Sequence, residues 1–139
     1  MSERPAMLGL RHLALWIPDA HFDRTVAFYR DALGLAVDWQ PDPDNVYLSS
    51  GSDNVALHRS SPERTIDHAA SPLDHLGFAL RSPDDVQRWY DHLHPDAERW
   101  HIELVSAVKH HRDGSVSFYL RDPAGHVVQM IYIPSIAGA

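Results

Sequence analysis

The feature that most constrains the fold of this chain is a short sequence pattern that occurs twice. The segment RHLALWIPDA begins at Arg11, and DHLGFALRSPDD begins at Asp74. In both copies a histidine leads an apolar run typical of a strand, and a Pro-Asp pair typical of a helix start follows it. Two copies of one unit predict two modules, each of which buries one face and leaves another face needing a partner.

The first half of the chain predicts one strand, one helix and three further strands. Residues 8–17 form an apolar run that predicts a strand. The next segment predicts an amphipathic helix that ends at Gly34 as its C-cap. Its apolar face consists of Phe22, Val26, Tyr29 and Leu33. The segments LAVDW, NVYLSS and NVALHR predict short strands, with a turn at SGSDN between the last two.

The second half repeats this order after a polar segment. Residues 60–72 contain two prolines and are interpreted as a linker. Residues 73–80 predict a strand, and the following helix has Ser82 as its N-cap and Pro83 at its first position. HIELVSAV, SVSFYLRD and HVVQMIYI predict three closing strands. We therefore expect modules of order βαβββ at residues 8–59 and 73–133, within a single domain spanning residues 1–139.

The alternation of side chains predicts which residues share a face of each strand. Large aliphatic residues on one face of the first strand suit packing under a helix, whereas His12 lies on the other face beside a small alanine. In the repeated strand, His75 shares its face with Gly77 and Ala79. A histidine with small neighbours suits a cavity wall better than a core layer, although a single buried histidine is more often a hydrogen-bonded core residue.

Composition and charge exclude several classes of function. The formal net charge of −7 disfavours a nucleic-acid partner, which requires clustered Lys and Arg. No apolar run is long enough to span a bilayer, and MSERPAML has no signal-peptide core. We therefore expect a cytoplasmic protein with no membrane partner. The chain has no cysteine but 11 histidines, so metal or acid–base chemistry would use His, carboxylate or amide groups.

The motifs RHLALWIPDA…FYRDALGL, LDHLGFAL and SFYLRDPAGHVVQM resemble those of the vicinal-oxygen-chelate superfamily. This superfamily includes glyoxalase I, bleomycin-resistance proteins, extradiol dioxygenases, methylmalonyl-CoA epimerases and fosfomycin-resistance transferases. The resemblance covers residues 8–133. It implies an α+β fold in which two βαβββ modules form a curled mixed sheet around a shared cavity, often in a homodimer, with a small molecule as substrate or ligand.

The resemblance also implies a divalent metal in that cavity, such as Zn, Ni, Mn or Fe. Its ligands fall at His12, His75 and Gln129, and Gln129 replaces the Glu of the pattern DPxGxxxE. A neutral amide oxygen leaves the metal charge uncompensated, so affinity should fall and Lewis acidity should rise. His58 is a candidate fourth ligand or base, but one residue of strand slippage decides whether it faces the cavity.

Further polar and aromatic residues are candidates for contact with the substrate. Residues of the loop KHHRDG could neutralise an anion or could simply be solvated, and Tyr119 could act in catalysis together with His58. We expect His126 to be exposed after the turn glycine. The substrate-binding candidates are Trp16, Lys109, His111, Ser117 and Tyr119.

Two functions from different classes remain open. The first is a metal-dependent enzyme of the lyase or isomerase type. Dioxygenase and strictly fosfomycin-transferase activities are disfavoured because Gln129 replaces the usual carboxylate. The second is a non-catalytic protein of the bleomycin-resistance type that binds a small molecule or drug without metal, for which the acidic net charge suits a cationic ligand.

Overall fold

The computed structural model describes residues 4–138; residues 1–3, which begin the segment MSERPAML, and residue 139 lie outside the description. The described chain forms two β-sheets and two α-helices. Neither helix is long and apolar enough to cross a membrane. The strands are β1 (His12–Ile17), β2 (Ala36–Asp42), β3 (Asn45–Ser49), β4 (Asn54–Arg59), β5 (Leu76–Leu80), β6 (Glu103–Leu104), β7 (Lys109–His110), β8 (Val116–Arg121) and β9 (Val127–Tyr132). The helices are α1 (Phe22–Ala27) and α2 (Pro83–Leu93).

Each sheet repeats one strand order. The first sheet has the order β1-β4-β3-β2, and the second has the order β5-β9-β8-β6, with β7 also paired to β8. The first strand of each module lies at the edge of its sheet and runs parallel to the last strand, β4 or β9. The predicted α+β fold of two βαβββ units is thereby confirmed. The two sheets remain separate and do not close into one barrel within the described residues.

Helix α1 and the turn after it bury the predicted apolar face. The regular helix ends at Ala27, and Phe28–Ala32 continues as a wider π-helical turn in which the Leu33 amide donates to the Phe28 carbonyl at 3.0 Å. Gly34 follows with φ of +79°, so it closes the helix as a C-cap. The predicted face, Phe22, Val26, Tyr29 and Leu33, is buried. The predicted amphipathic face and the C-cap are therefore present, and the last turn before the cap is π-helical.

A buried hydrogen bond between Tyr29 and Asp122 joins the two modules. The Tyr29 hydroxyl donates to the Asp122 carboxylate at 2.7 Å, and the other oxygen of that carboxylate accepts from the backbone amides of Ala124 and His126 at 2.9 Å. Burial raises the pKa of Tyr29 well above its ordinary value, and the negative charge of Asp122 raises it further. The turn DPAGH is therefore fixed against the first module from inside the core.

The structure corrects three predictions. The strand predicted for HIELVSAV is interrupted, because the amides of Val105 and Ser106 both donate to the Tyr119 carbonyl, at 2.9 and 3.3 Å. Such sharing of one acceptor is a bulge that ends regular pairing. Strand β1 begins at His12 and β5 begins after His75, so the strands predicted at residues 8–17 and 73–80 are shorter than expected. His126 is buried, with 8% of its surface exposed, because the His68 ring packs on it.

Candidate functional site

The open face of the first sheet is the face that carries His12, Trp16 and His58. The opposite face carries Leu15, Ile17 and Leu57, which belong to the core. Trp16 lies opposite His58 in the parallel pair of β1 and β4, and the centroids of their rings are 5.8 Å apart. The register therefore settles the orientation that the sequence left open: His58 lies on the same face as His12.

The ring of His12 is oriented by a short chain of hydrogen bonds. Its Nδ1 lies 2.8 Å from Oδ1 of Asn54, and the Asn54 amide nitrogen donates to the Asp38 carboxylate at 3.2 Å. A carboxylate only accepts, so the Asn54 oxygen must face His12, and Nδ1 must carry the proton. The Nε2 atom is then left with a free lone pair, which is the state of a metal-ligating imidazole.

His58 is held in the same way by a different pair of residues. Its Nδ1 lies 2.6 Å from Oδ1 of Asn45, whose amide nitrogen donates to Asp42 at 2.9 Å. By the same reasoning Nε2 of His58 carries the free lone pair. This atom can act as a proton acceptor or as a ligand.

His75 and Tyr119 lie together on the open face of the second sheet. Nδ1 of His75 lies 2.6 Å from the Asp74 carboxylate, so this ring also leaves Nε2 free. Its ring packs edge-on against Tyr119 with a centroid separation of 5.4 Å. Tyr119 in turn lies opposite Gln129 in the pairing of β8 with β9.

Gln129 is buried, with 7% of its surface exposed, and its amide is oriented by Ser117. The amide nitrogen donates to the Ser117 hydroxyl oxygen at 2.9 Å, and Nε2 of His111 lies 3.0 Å from the same oxygen. The carbonyl oxygen of the amide is thus directed away from Ser117. Gly77 lies opposite Gln129 on β5, so no β5 side chain stands beside Gln129 at this level.

The loop that carries His111 is closed by its own hydrogen bonds. The Asp113 carboxylate accepts from the hydroxyl and the backbone amide of Ser115, at 2.7 and 2.9 Å. These bonds hold the pKa of Asp113 below its ordinary value. Lys109, at the start of the loop, pairs with Ser117 on β8 and is exposed.

The predicted site residues therefore form two groups. The first-sheet group is His12, Trp16 and His58, and the second-sheet group is His75, His111, Ser117, Tyr119 and Gln129. The two groups approach each other at a groove of about 630 Å³ between the edge strands, because His12 and His75 both line it. Within residues 4–138, no three His, Cys, Asp or Glu side chains cluster as a metal site, so a third ligand would have to be an amide such as Gln129.

A second cavity, of about 660 Å³, was not predicted from the sequence. It lies between the end of β1, the turn between β8 and β9, and residues 64–72 of the segment interpreted as a linker. Its polar lining includes Arg64, His68, Arg121 and His126, together with His75, which also lines the groove. The segment has no periodic pattern, and its polar composition indicated only a linker, so nothing in the sequence indicated this cavity.

The fold and the site define a protein of paired βαβββ modules whose open faces carry oriented histidines. The sequence matches the model of the Glyoxalase/Bleomycin resistance protein/Dioxygenase superfamily over residues 9–130. The chain belongs to this superfamily, which confirms the resemblance seen in the motifs.

Individual relatives are distant. The chain is 25% identical over 131 residues to the glutathione transferase FosA of Serratia marcescens, covering 93% of this chain and 83% of that protein. The structure of a lactoylglutathione lyase from Agrobacterium tumefaciens superposes with a TM-score of 0.69 at 23% identity, covering 92% and 96% of the two chains. The structure of an integron cassette protein from the Halifax Harbour sewage metagenome superposes with a TM-score of 0.71 at 18% sequence identity. The match covers 91% of this chain and 100% of that chain. These structures show a shared fold.

Proposed function

We propose that the chain is a divalent-metal-dependent enzyme of the lyase or isomerase type, acting on a small molecule with two adjacent oxygens. The observation that carries the proposal is the orientation of the three candidate ligands. Nδ1 of His12 and Nδ1 of His75 each bind an oxygen of a neighbouring side chain, and the amide nitrogen of Gln129 binds Ser117. Each residue is thus held by one polar atom and keeps its metal-binding atom free.

The donor set fits a borderline divalent ion such as Zn, Ni, Mn or Fe. Two imidazole nitrogens and one amide oxygen are neutral ligands, and the surrounding residues supply the anchoring oxygens that such ligands require. When bound, the ion supplies Lewis acidity to the oxygens of the substrate.

The other residues of the two groups would bind the substrate and move protons. Tyr119 packs on His75 and lies opposite Gln129, so a molecule held at those residues would lie against its ring and hydroxyl. His58 offers Nε2 as a base, because its Nδ1 is already bound to Asn45. His111 and the exposed Lys109 would lie beside the part of the substrate nearest Ser117.

A homodimer in the cytoplasm is the expected form of the enzyme. Trp16 and Trp39 lie on the open face of the first sheet and are 47% and 57% exposed, so this face offers apolar surface to a second copy. Association of two copies would cover part of this surface. Light scattering at the molar mass of two chains would support the expectation.

Titration of chelator-treated, tag-free protein with Ni²⁺, Zn²⁺, Mn²⁺ and Fe²⁺ tests the proposal. At least one ion should bind stoichiometrically, and His12→Ala and His75→Ala should each weaken binding by about tenfold or more, since each removes a ligand. His94→Ala, at an exposed position after α2, is the matched control. The loaded protein should then be screened for lactoylglutathione lyase and glutathione transferase activity, for which two relatives are named.

A metal-free binding protein is a second candidate. A row of aromatic rings crosses the open face of the first sheet, with centroids 5.1 Å apart for Trp39 and Tyr47 and 5.7 Å apart for Tyr47 and His58. Such a row suits a flat or cationic ligand, and the chain is acidic. Binding of a cationic aromatic drug that is unchanged by chelator and by His75→Ala, with no stoichiometric metal, would favour this candidate over the enzyme.

A further inference from the structure

The segment between the two modules is fixed at both ends of the second cavity. On the side of the first module, the Arg64 guanidinium lies 4.3 Å above the centroid of the Trp16 ring. On the side of the second module, Nε2 of His68 lies 2.8 Å from the Ala124 carbonyl oxygen, and the His68 ring packs edge-on against His126. The segment therefore forms a wall of the cavity in addition to connecting the modules.

The contact between this wall and the DPAGH turn leaves no room for a larger residue. A Cβ atom at Gly125 would lie 2.9 Å from Nε2 of His68, and Gly125 has φ of +95°. Only glycine satisfies both the backbone conformation and the close approach of the ring. The position of the wall is consequently set by the second sheet.

The charges that line this cavity favour an anion. Arg64 and Arg121 both line it, and Asp74 is the one carboxylate among the described lining residues, so these side chains carry a net positive charge. Among the described residues Arg64 makes no ion pair, and Arg121 makes a long one of 3.8 Å to Glu103. A guanidinium stacked on an aromatic ring keeps its in-plane N–H groups available for an oxyanion.

We propose that this cavity binds the anionic group of a small organic acid, a carboxylate, phosphonate or phosphate, between Arg64 and Arg121. The inference deepens the proposed function and rests on it, since the bound acid is taken to be the substrate. His75 lines both this cavity and the groove shared with His12, so an acid held here would extend toward the candidate metal ligands. The volume of about 660 Å³ lies in the range of small-molecule sites.

Titration of the chelator-treated full chain with phenylphosphonate tests the inference without metal. The arginine Nε–H signals of Arg64 and Arg121 should shift saturably in ¹⁵N spectra, and that of Arg88 on α2 should not. Arg64→Gln and Arg121→Gln should each weaken binding about tenfold, because each removes a charge-assisted hydrogen bond. Arg88→Gln is the matched control, since Arg88 pairs with Asp85 on the helix surface. Benzamide, a neutral probe of similar shape, should bind far more weakly.

Three results would overturn the inference. These are the absence of saturable binding, equal binding by the wild type and both arginine variants, and weakening by Lys109→Gln alone, which would place the anion at the other end of the site. The wild-type shifts give this answer even where a variant fails to fold. Anion binding without any metal binding would refute the proposed enzyme and leave the anion site standing, whereas metal binding without anion binding would do the reverse.

Discussion

Replacement of Gln129 by Glu should change the stability of the metal-free protein and the affinity for metal in opposite directions. Gln129 is 7% exposed, and its amide donates to Ser117 at 2.9 Å. Glu has nearly the same shape but loses that donor and adds a negative charge. In the metal-free protein this charge is buried, while beside a divalent ion it would be neutralised.

The size of both effects can be estimated from these contacts. Leaving a buried polar group imperfectly paired costs about 1–3 kcal/mol, which lowers the melting temperature of a chain of this length by roughly 3–10 °C. One pair of unit charges about 4 Å apart gains roughly 4 kcal/mol in a protein environment. The cost in the metal-free protein is present before the ion binds and does not reduce this gain, so metal binding should be tighter by about 100-fold or more.

Thermal unfolding with chelator and with saturating Ni²⁺, together with calorimetric titration, measures both effects. Gln129→Glu should melt below the wild type with chelator and gain more from Ni²⁺ than the wild type does. Gln40→Glu makes the same chemical change at an exposed position of β2 and should alter neither quantity appreciably. A loss of stability in Gln129→Glu without tighter metal binding would refute the claim that this side chain is directed at the ion.

Two further predictions concern the junction between the modules. Tyr29→Phe removes the 2.7 Å bond to Asp122 and should lower the free energy of unfolding by about 1–3 kcal/mol in urea denaturation. Because the folded pKa of Tyr29 is raised, the unfolded chain loses this proton first as pH rises above about 10, so the wild type should lose stability there. Tyr29→Phe should lose less over the same range, and an identical pH dependence in both proteins would contradict the buried hydrogen bond. Gly125→Ala places a Cβ atom against the His68 ring and should destabilise the fold by about 1–3 kcal/mol. It should also release residues 60–72, which would be measured as faster hydrogen exchange in that segment. Unchanged exchange would contradict the contact with His68.

The sequence predicted those features that depend on local periodicity. The repeated motif indicated two modules, and the apolar face of α1 was read correctly from its spacing, because burial of one face imposes that period. The face of Gln129 followed from alternation along β9. The place of His58 did not, since only the pairing of β4 with β1 fixes which face is open.

Features that depend on contacts distant in sequence were missed. His126, in the turn before β9, is buried by His68, which lies in the segment that connects the two modules. No local sequence pattern indicates that contact. The interruption before β7 arises from two amides that share the Tyr119 carbonyl, which is a consequence of tertiary pairing. Arg64 reaches the second cavity only because its segment crosses Trp16. The composition of residues 60–72 predicted a linker, whereas their packing places them against both modules.

The most direct test of the central claim is the anomalous difference map of crystals grown from Ni²⁺-loaded protein. We expect one strong peak about 2.0–2.2 Å from Nε2 of His12, Nε2 of His75 and Oε1 of Gln129. We also expect Nδ1 of each histidine to keep its bond to Asn54 or Asp74. A peak at other side chains, or a Gln129 amide turned with its nitrogen toward the ion, would refute the proposed metal site.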